Sequence, residues 1–531
     1  MAPVLSNFHP RSSLNLPTAG QLDKAALDSR AVLHRSGMSV LLALAAITGA
    51  LSVAQGHTPW QQIGLTQLRA VAPELNGTGI TVAQVEASLC PHADKFEPSC
   101  TATGQPSFKF TFINRSGISS FKPEIPTQSA HATRVGRLFY GNLGGNVMTG
   151  VCPDVSHIDV WNAQALYRQL CSPSPSLIPP GQIAAPAVIN QSYVFENATT
   201  GEIRSVDAVF DNYAARHNTL FISAVGNGLA MTTDTGWPSQ VNPPADAYND
   251  LAVATCNGTT GIGPACDGRC KPDISAPGTE TSYAAPLVSG AAALLLQAGK
   301  EGLGGSTTAD TDIRVIKALL LNGATKPPDW TNSYDIFEHV YIFNKPSAFT
   351  FTPLDPRYGA GVLNVYNAYE DLLAGEHLPT VSTTLNMQSM PTPYTYAAAP
   401  EPLKGWNLGT SHTRAESNRL HHYLFDLPKT ARASWNLNAT LDWNVTWAGT
   451  TLLMDHFYLY LLNSSGEVAW SKSPIDNVQQ IHLNNLPPGT YDLVVMEIGS
   501  PVPIPRSHYG LSWDFTLAYP ARRTLTDRRH P

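Results

Sequence analysis

Four residues in this chain could together perform nucleophilic acyl chemistry. Ser282 stands at the mouth of a long apolar run, in Thr281-Ser282-Tyr283-Ala284-Ala285-Pro286. On the first turn of a buried helix, its hydroxyl would lie beside backbone N–H groups and the positive end of the helix dipole, which favour a developing anion. Pro286 fits there, because an early-turn proline forfeits few intrahelical hydrogen bonds. A serine is a weak nucleophile until a neighbouring base takes its proton, and His131 has the right pKa range. That histidine needs a carboxylate to fix its tautomer, and Glu86 at the end of an apolar run is the candidate. Asn227, between Gly226 and Gly228, could offer its side-chain amide to an oxyanion. Taken singly, each has a plainer reading: a capped core helix, a surface histidine, a turn asparagine, a solvated strand-end carboxylate.

The elements around these residues form a pattern. From about residue 59 to 375, short apolar runs at 79–85, 157–161, 187–190, 220–225 and 251–254 alternate with helical spacing at 206–216 and 313–321. Strands separated by helices imply a parallel α/β sheet with its reactive groups at strand ends and adjoining loops. After about residue 380 the periodicity changes. Leu437, Ala439, Leu441, Trp443, Val445 and Trp447 alternate with Asn436, Asn438, Thr440, Asp442, Asn444 and Thr446, as in an antiparallel strand with one face in solvent. Further strand and turn signals at 457–466 and 486–495 point to a small β-sandwich. The division expected is an N-terminal extension 1–58, an α/β domain 59–377, a Pro- and Ala-rich linker 378–402, a sandwich 403–520 and a basic tail 521–531.

Taken in chain order, these segments resemble the subtilisin-like serine proteases. The stretch 129–136 is similar to that family's His-Gly-Thr-x-Val-Ala-Gly, and Ser282 sits in a likeness of its Gly-Thr-Ser-x-Ala-x-Pro. Gly150-Val151-Cys152-Pro153, Asn190-Gln191-Ser192 and the stretch 358–364 resemble further family segments. The resemblance implies a parallel-sheet peptidase domain with Ser282 as nucleophile, His131 as base, Glu86 as orienting acid and Asn227 as oxyanion donor. It also implies an extended peptide substrate bound along Asn190, Ser192 and Tyr193, with Gly226 close by. A sedolisin-like arrangement, with its Glu–Asp–Ser triad, is disfavoured by the histidine segment and by Gly226-Asn227-Gly228. The sandwich resembles the bacterial pre-peptidase C-terminal type of domain, which implies a part in export, surface binding or substrate capture, beside the plainer role of a stabilising appendage.

Three departures bear on activity. Glu86 stands where the family has Asp, so Asp94, Glu97 and Asp154 stay open as alternative acids. Glu280 stands where the family has Gly, and the loop before the nucleophile is short. Ala132, Arg134 and Gly136 replace the usual Gly, His and Ala. These leave a second reading, a subtilase fold with impaired turnover that binds peptides or a surface.

Length and composition set the remaining bounds. At 531 residues, 43% hydrophobic and 14% charged, the chain is long enough for two folded domains with a large core. A formal net charge of −7 gives no general electrostatic reason to bind nucleic acid. The apolar run 38–54 reads as a secretory signal cleaved after Ala54, or else a retained membrane anchor, so the expected place is secreted, periplasmic or extracellular. Export would permit disulfides, and Cys90 with Cys100 and Cys152 with Cys171 are the local pairs. Cys256, Cys266 and Cys270 would leave one thiol over, and the spacing lacks the paired Cys-x-x-Cys of a zinc site. Asn438 and Asn444 head glycosylation sequons. No cofactor is expected. Structural calcium is not readable, because no dense Asp/Asn loop stands out. The expected state is a monomer acting on polypeptide.

Overall fold

The computed structural model describes residues 10–11 and 58–518, apart from 89–93, 145–148, 180–181, 183, 196–197, 229–230, 233–237, 336–339, 342–345, 385–390, 395–398, 413–419, 430–433 and 500–505. The apolar run 38–54, Cys90 and the tail 521–531 lie outside the described residues. Among those described, no helix is long and apolar enough to cross a membrane.

The first domain is built on eight strands: β1 (Thr81–Glu86), β2 (Phe110–Ile113), β3 (Ser119–Ser120), β4 (His157–Asn162), β5 (Val188–Gln191), β6 (Leu220–Ala224), β7 (Leu251–Thr255) and β8 (Ile274–Ala276). They lie in the order β8-β7-β6-β5-β1-β4-β2-β3. Every pairing is parallel except that of the β3 edge with β2. The central strands are apolar on both faces, as a sheet covered by helices requires, and Val82, Val85, Ile189, Phe221 and Val253 are wholly buried. The helices that matter for the site are α1 (Ala130–Phe139), α2 (Thr200–His217), α3 (Thr281–Lys300), α4 (Ile313–Asn322) and α5 (Val365–Leu373). α3 is hydrophobic all round, and all but the last of its residues are buried. This is the mixed α/β domain that the strand–helix alternation implied.

The second domain is built on two large sheets. One has six strands and takes in Phe349–Thr350, from within 59–377, and Val381–Thr383, from the expected linker. The other has four, Lys404–His412, Arg506–Ala518, Ser434–Trp443 and Val478–Leu486. Their facing sides hold a core of Leu437, Ala439, Leu441, Trp443, Phe457, Leu493 and Trp513.

The outer face of the four-stranded sheet does not meet solvent throughout. Thr440 and Asp442, expected on a wet face, are buried against α4. Thr440 Oγ1 donates to Asn322 Oδ1 at 3.2 Å, and Asp442 lies 3.2 Å from Lys317 Nζ. Gly510 in the neighbouring strand crosses the same helix so closely that a Cβ there would lie 2.3 Å from the Arg314 carbonyl oxygen. Only glycine permits that approach. Asn249, in the loop before β7, joins the seam through its Oδ1, which accepts from Val445 N at 2.9 Å.

The expected disulfides are not formed among the described residues. Cys152 is buried and donates weakly to the Phe139 carbonyl, while Cys171 is exposed. Cys100, Cys256, Cys266 and Cys270 are free thiols as well. Burial pushes the Cys100 thiol up to about 11, so it behaves as a packed apolar group rather than a reactive thiolate.

Candidate active site

The strand β1 ends with its last residue turned toward α1. Side chains two apart on a strand share a face, so Gln84 and Glu86 point the same way and both are buried. Glu86 Oε2 lies 2.8 Å from His131 Nδ1. Glu86 Oε1 accepts from Gln84 Nε2 at 2.8 Å, and the same amide donates to the Ala132 carbonyl at 2.8 Å. Gln84 Oε1 accepts from the Tyr140 hydroxyl. Gln84 is therefore a clamp on the acid, joining it to the helix that carries the histidine.

The unusual Gly136 follows from that clamp. A Cβ at 136 would lie 2.7 Å from the Tyr140 hydroxyl and would close the path by which Tyr140 reaches Gln84. The sequence signal for this group is a polar Gln84 inside an otherwise apolar strand, two residues before the acid.

α1 begins at Ser129, whose hydroxyl caps it by accepting from Ala132 N at 3.2 Å. This places His131 in the first turn, 2% exposed. Its Nδ1 faces Glu86, while its Nε2 is buried and has no hydrogen-bond partner among the described residues. The ring lies 5.4 Å from that of Tyr283, and the Arg134 guanidinium stacks 3.9 Å above Tyr283. Burial works against the imidazolium, but the charge and hydrogen bond of Glu86, helped by Glu280, outweigh it. The His131 pKa stands above its ordinary 6.5 although Arg134 pulls the other way.

Ser282 is the second residue of α3. Its Oγ makes a long 3.4 Å bond to the Ser192 carbonyl rather than to His131. The first-turn amides of α3 have no preceding turn to bond, which leaves such groups for a ligand or a cap. Asn227 caps one of them, its Oδ1 accepting from Thr281 N at 2.9 Å and from Thr281 Oγ1 at 3.0 Å. That orientation turns the amide's NH₂ end away from Thr281. Gly226, at φ +111°, donates its N–H to Thr281 Oγ1 at 3.2 Å, and a Cβ there would lie 2.7 Å from Asn242 Nδ2.

The remaining expected site residues divide. Asn190 donates to Ser192 Oγ at 2.9 Å and accepts from Ser289 Oγ at 3.0 Å, while Ser192 Oγ donates to the Ser282 carbonyl at 2.9 Å. These two side chains brace the nucleophile helix. The Tyr193 side chain, expected along the substrate, turns inward to donate to Gln191 Oε1 and pack edge-on against Phe195. The backbone just beyond is a pairing edge, with Val194–Phe195 carrying Pro10–Arg11 as an antiparallel partner. The alternative acids are occupied elsewhere. Asp94 accepts from Ser88 and Asn162, Glu97 from Glu124 N, and Asp154 from Asn142.

Among the described residues, no group of three or more His, Cys, Asp and Glu gathers in a way that could hold a metal ion.

With this geometry in place, comparison with known proteins adds the following. The family model described as the subtilase family matches residues 77–361. A solved structure of proteases from Pseudoalteromonas arctica PAMC 21717 is 15% identical, over 58% of this chain and 94% of that one, with a TM-score of 0.37. No curated protein matches the chain.

Proposed function

The chain belongs to the subtilase family of serine proteases, and from that premise we propose a secreted, monomeric endopeptidase that cleaves polypeptides through Ser282, His131 and Glu86. The observation that carries the reading is the buried Glu86–His131 contact of 2.8 Å, which leaves the opposite ring nitrogen without a partner in the site that holds Ser282. A carboxylate on Nδ1 fixes the proton there and makes Nε2 the base. The neutral ring takes the Ser282 proton as Oγ attacks the scissile carbonyl, and Glu86 stabilises the imidazolium that forms. The tetrahedral oxyanion is met by the Ser282 N–H and the Asn227 NH₂, each aimed at charge that exists only in the transition state. His131 then gives its proton to the leaving amine, and water repeats the sequence on the acyl-enzyme. The Ser282–Ser192 bond must break for this, and catalytic hydrogen bonds often tighten only with substrate in place.

The substrate would add as a strand near Ser192 and Val194. The pairing of Pro10–Arg11 with Val194–Phe195 supports a backbone edge suited to that task. Labelling with a fluorophosphonate probe tests the reading. The wild type should label on one serine, and Ser282→Ala should abolish labelling and lower peptide turnover by about six orders of magnitude. A well-folded wild type that does not label would overturn turnover and favour a peptide-binding module on the same fold.

A further inference from the structure

Glu86 has one more rotatable bond than an aspartate, so a contact with His131 on one oxygen does not by itself fix the carboxylate. Its two oxygens are held from different sides. Oε2 faces His131 Nδ1, and Oε1 has Gln84 Nε2 as its one donor among the described residues. Gln84 and Tyr140 are wholly buried, and bulk solvent cannot replace either of them.

Chemistry dictates the direction of each hydrogen bond here. The ionised Glu86 oxygen and the Ala132 carbonyl can only accept, so both N–H bonds of the Gln84 amide go to them. That leaves Gln84 Oε1 to meet the Tyr140 hydroxyl, which must then donate. Reversing the amide would set its oxygen against two acceptors at once. Tyr140 is anchored in turn. Its ring packs edge-on against Phe110 in β2 at 5.9 Å, and its carbonyl accepts from Gln105 Nε2. A fixed part of the core thus reaches the acid through two side chains, neither of which hydrogen-bonds to His131 or Ser282 among the described residues.

We propose that Gln84 and Tyr140 are positioning residues for acyl transfer, acting on Ser282 only through Glu86 and His131, and that they let a glutamate serve as the orienting acid on this strand. This deepens the endopeptidase reading above and rests on it. A carboxylate tied at both oxygens keeps its plane and its distance from Nδ1 while the imidazolium forms and discharges, the stage at which misplacement costs rate. Gly136 belongs to the same unit, because a methyl group there would push the Tyr140 hydroxyl off Gln84.

The test is a double-mutant cycle, read by steady-state cleavage of an internally quenched peptide by the full chain. Gln84→Met should lower kcat by about tenfold to a hundredfold, the cost of a misplaced catalytic group, with KM unchanged. Tyr140→Phe should lower kcat by about fivefold, the worth of one hydrogen bond. Both effects should vanish in a Glu86→Ala background, where no acid is left to position, whereas a role in packing alone would persist there. Serine and histidine without the acid retain enough turnover to measure. An unchanged kcat in Gln84→Met, a raised KM in place of a lowered kcat, or losses that multiply with that of Glu86→Ala would overturn the assignment and leave the protease reading intact. If Gln84→Met does not fold, Tyr140→Phe, which removes a single oxygen, decides by the same criteria. A wild type that neither labels with the fluorophosphonate probe nor cleaves would overturn both.

Discussion

The active centre and the seam between the two domains are made of the same materials and behave oppositely. Each buries a base against carboxylates. At the seam, Lys317 Nζ donates to the Tyr248 carbonyl at 3.0 Å and lies 3.2 Å from Asp442 and 4.0 Å from Asp273, so the cation sits between two carboxylates. Burial alone would lower the Lys317 pKa, but Asp442 and Asp273 outweigh it and hold the ammonium charged. Asp273 is itself bound by Lys271 at 2.6 Å and by Ala252 N at 2.7 Å. At the active centre His131 has one partner on one nitrogen and, among the described residues, none on the other. A cation held between two carboxylates has no reason to release its proton, whereas a ring with one open nitrogen does. Reactivity here comes from withholding one partner, not from a different set of residues.

The sharpest way to break this comparison is to disable the partner that His131 does have. Glu86→Gln keeps the shape but removes the charge and sets an amide against Nδ1, and kcat should fall by about four orders of magnitude. Glu86→Asp restores the charge one methylene short of the ring. A misplacement of that size costs about a hundredfold, so the family's usual residue should be the worse one on this strand. Steady-state kinetics on variants with unchanged circular dichroism would check both. Full activity in Glu86→Gln would transfer the role to another carboxylate, with Asp94 first in line.

The corresponding cut at the seam should show in stability. Lys317→Met leaves Asp442 buried without its counter-ion, a loss of about 3–5 kcal/mol. Replacing both, as Lys317→Met with Asp442→Leu, should recover most of that, since a well-packed apolar pair can match a buried ion pair. Urea unfolding of the full chain would measure each. A single variant that loses less than about 1 kcal/mol would rank this cluster with ordinary surface pairs.

The same contrast explains what could be read from residues alone. Alternation between 436 and 447 was sufficient to indicate a strand and its apolar face. Nothing in a period of two says whether the polar side meets water or another domain, and Thr440 and Asp442 meet α4. The contact of Glu86 with His131 was legible because a base needs a carboxylate to orient it. Gln84 was not, because a clamp has no reaction of its own and shows only as a polar residue in an apolar strand. Where the Tyr193 ring goes was not legible, because an edge reading concerns the backbone and not the side chain. Its backbone lies along the edge while its ring enters the core. The cysteines were paired on sequence distance, which says nothing about the facing of Cβ atoms.

The gentlest perturbation leaves every partner in place and moves only the proton. The proposed mechanism requires neutral His131, whose pKa stands above 6.5 in the folded chain. The acid limb of kcat/KM, which reports the free enzyme, should therefore lie above pH 6.5. Glu280 raises that pKa and Arg134 lowers it. Glu280→Gln should accordingly move the limb toward lower pH and Arg134→Met toward higher. The linkage to stability has the opposite sign. A pKa raised on folding stabilises the chain fully below the unfolded value near 6.5, and the gain is lost as pH climbs through the folded value. The pH range that turns the enzyme on is the range in which this stabilisation disappears. A limb at or below 6.5, unmoved by either substitution, would mean that His131 does not feel the charges around it, and the difference between the active centre and the seam would then need another cause.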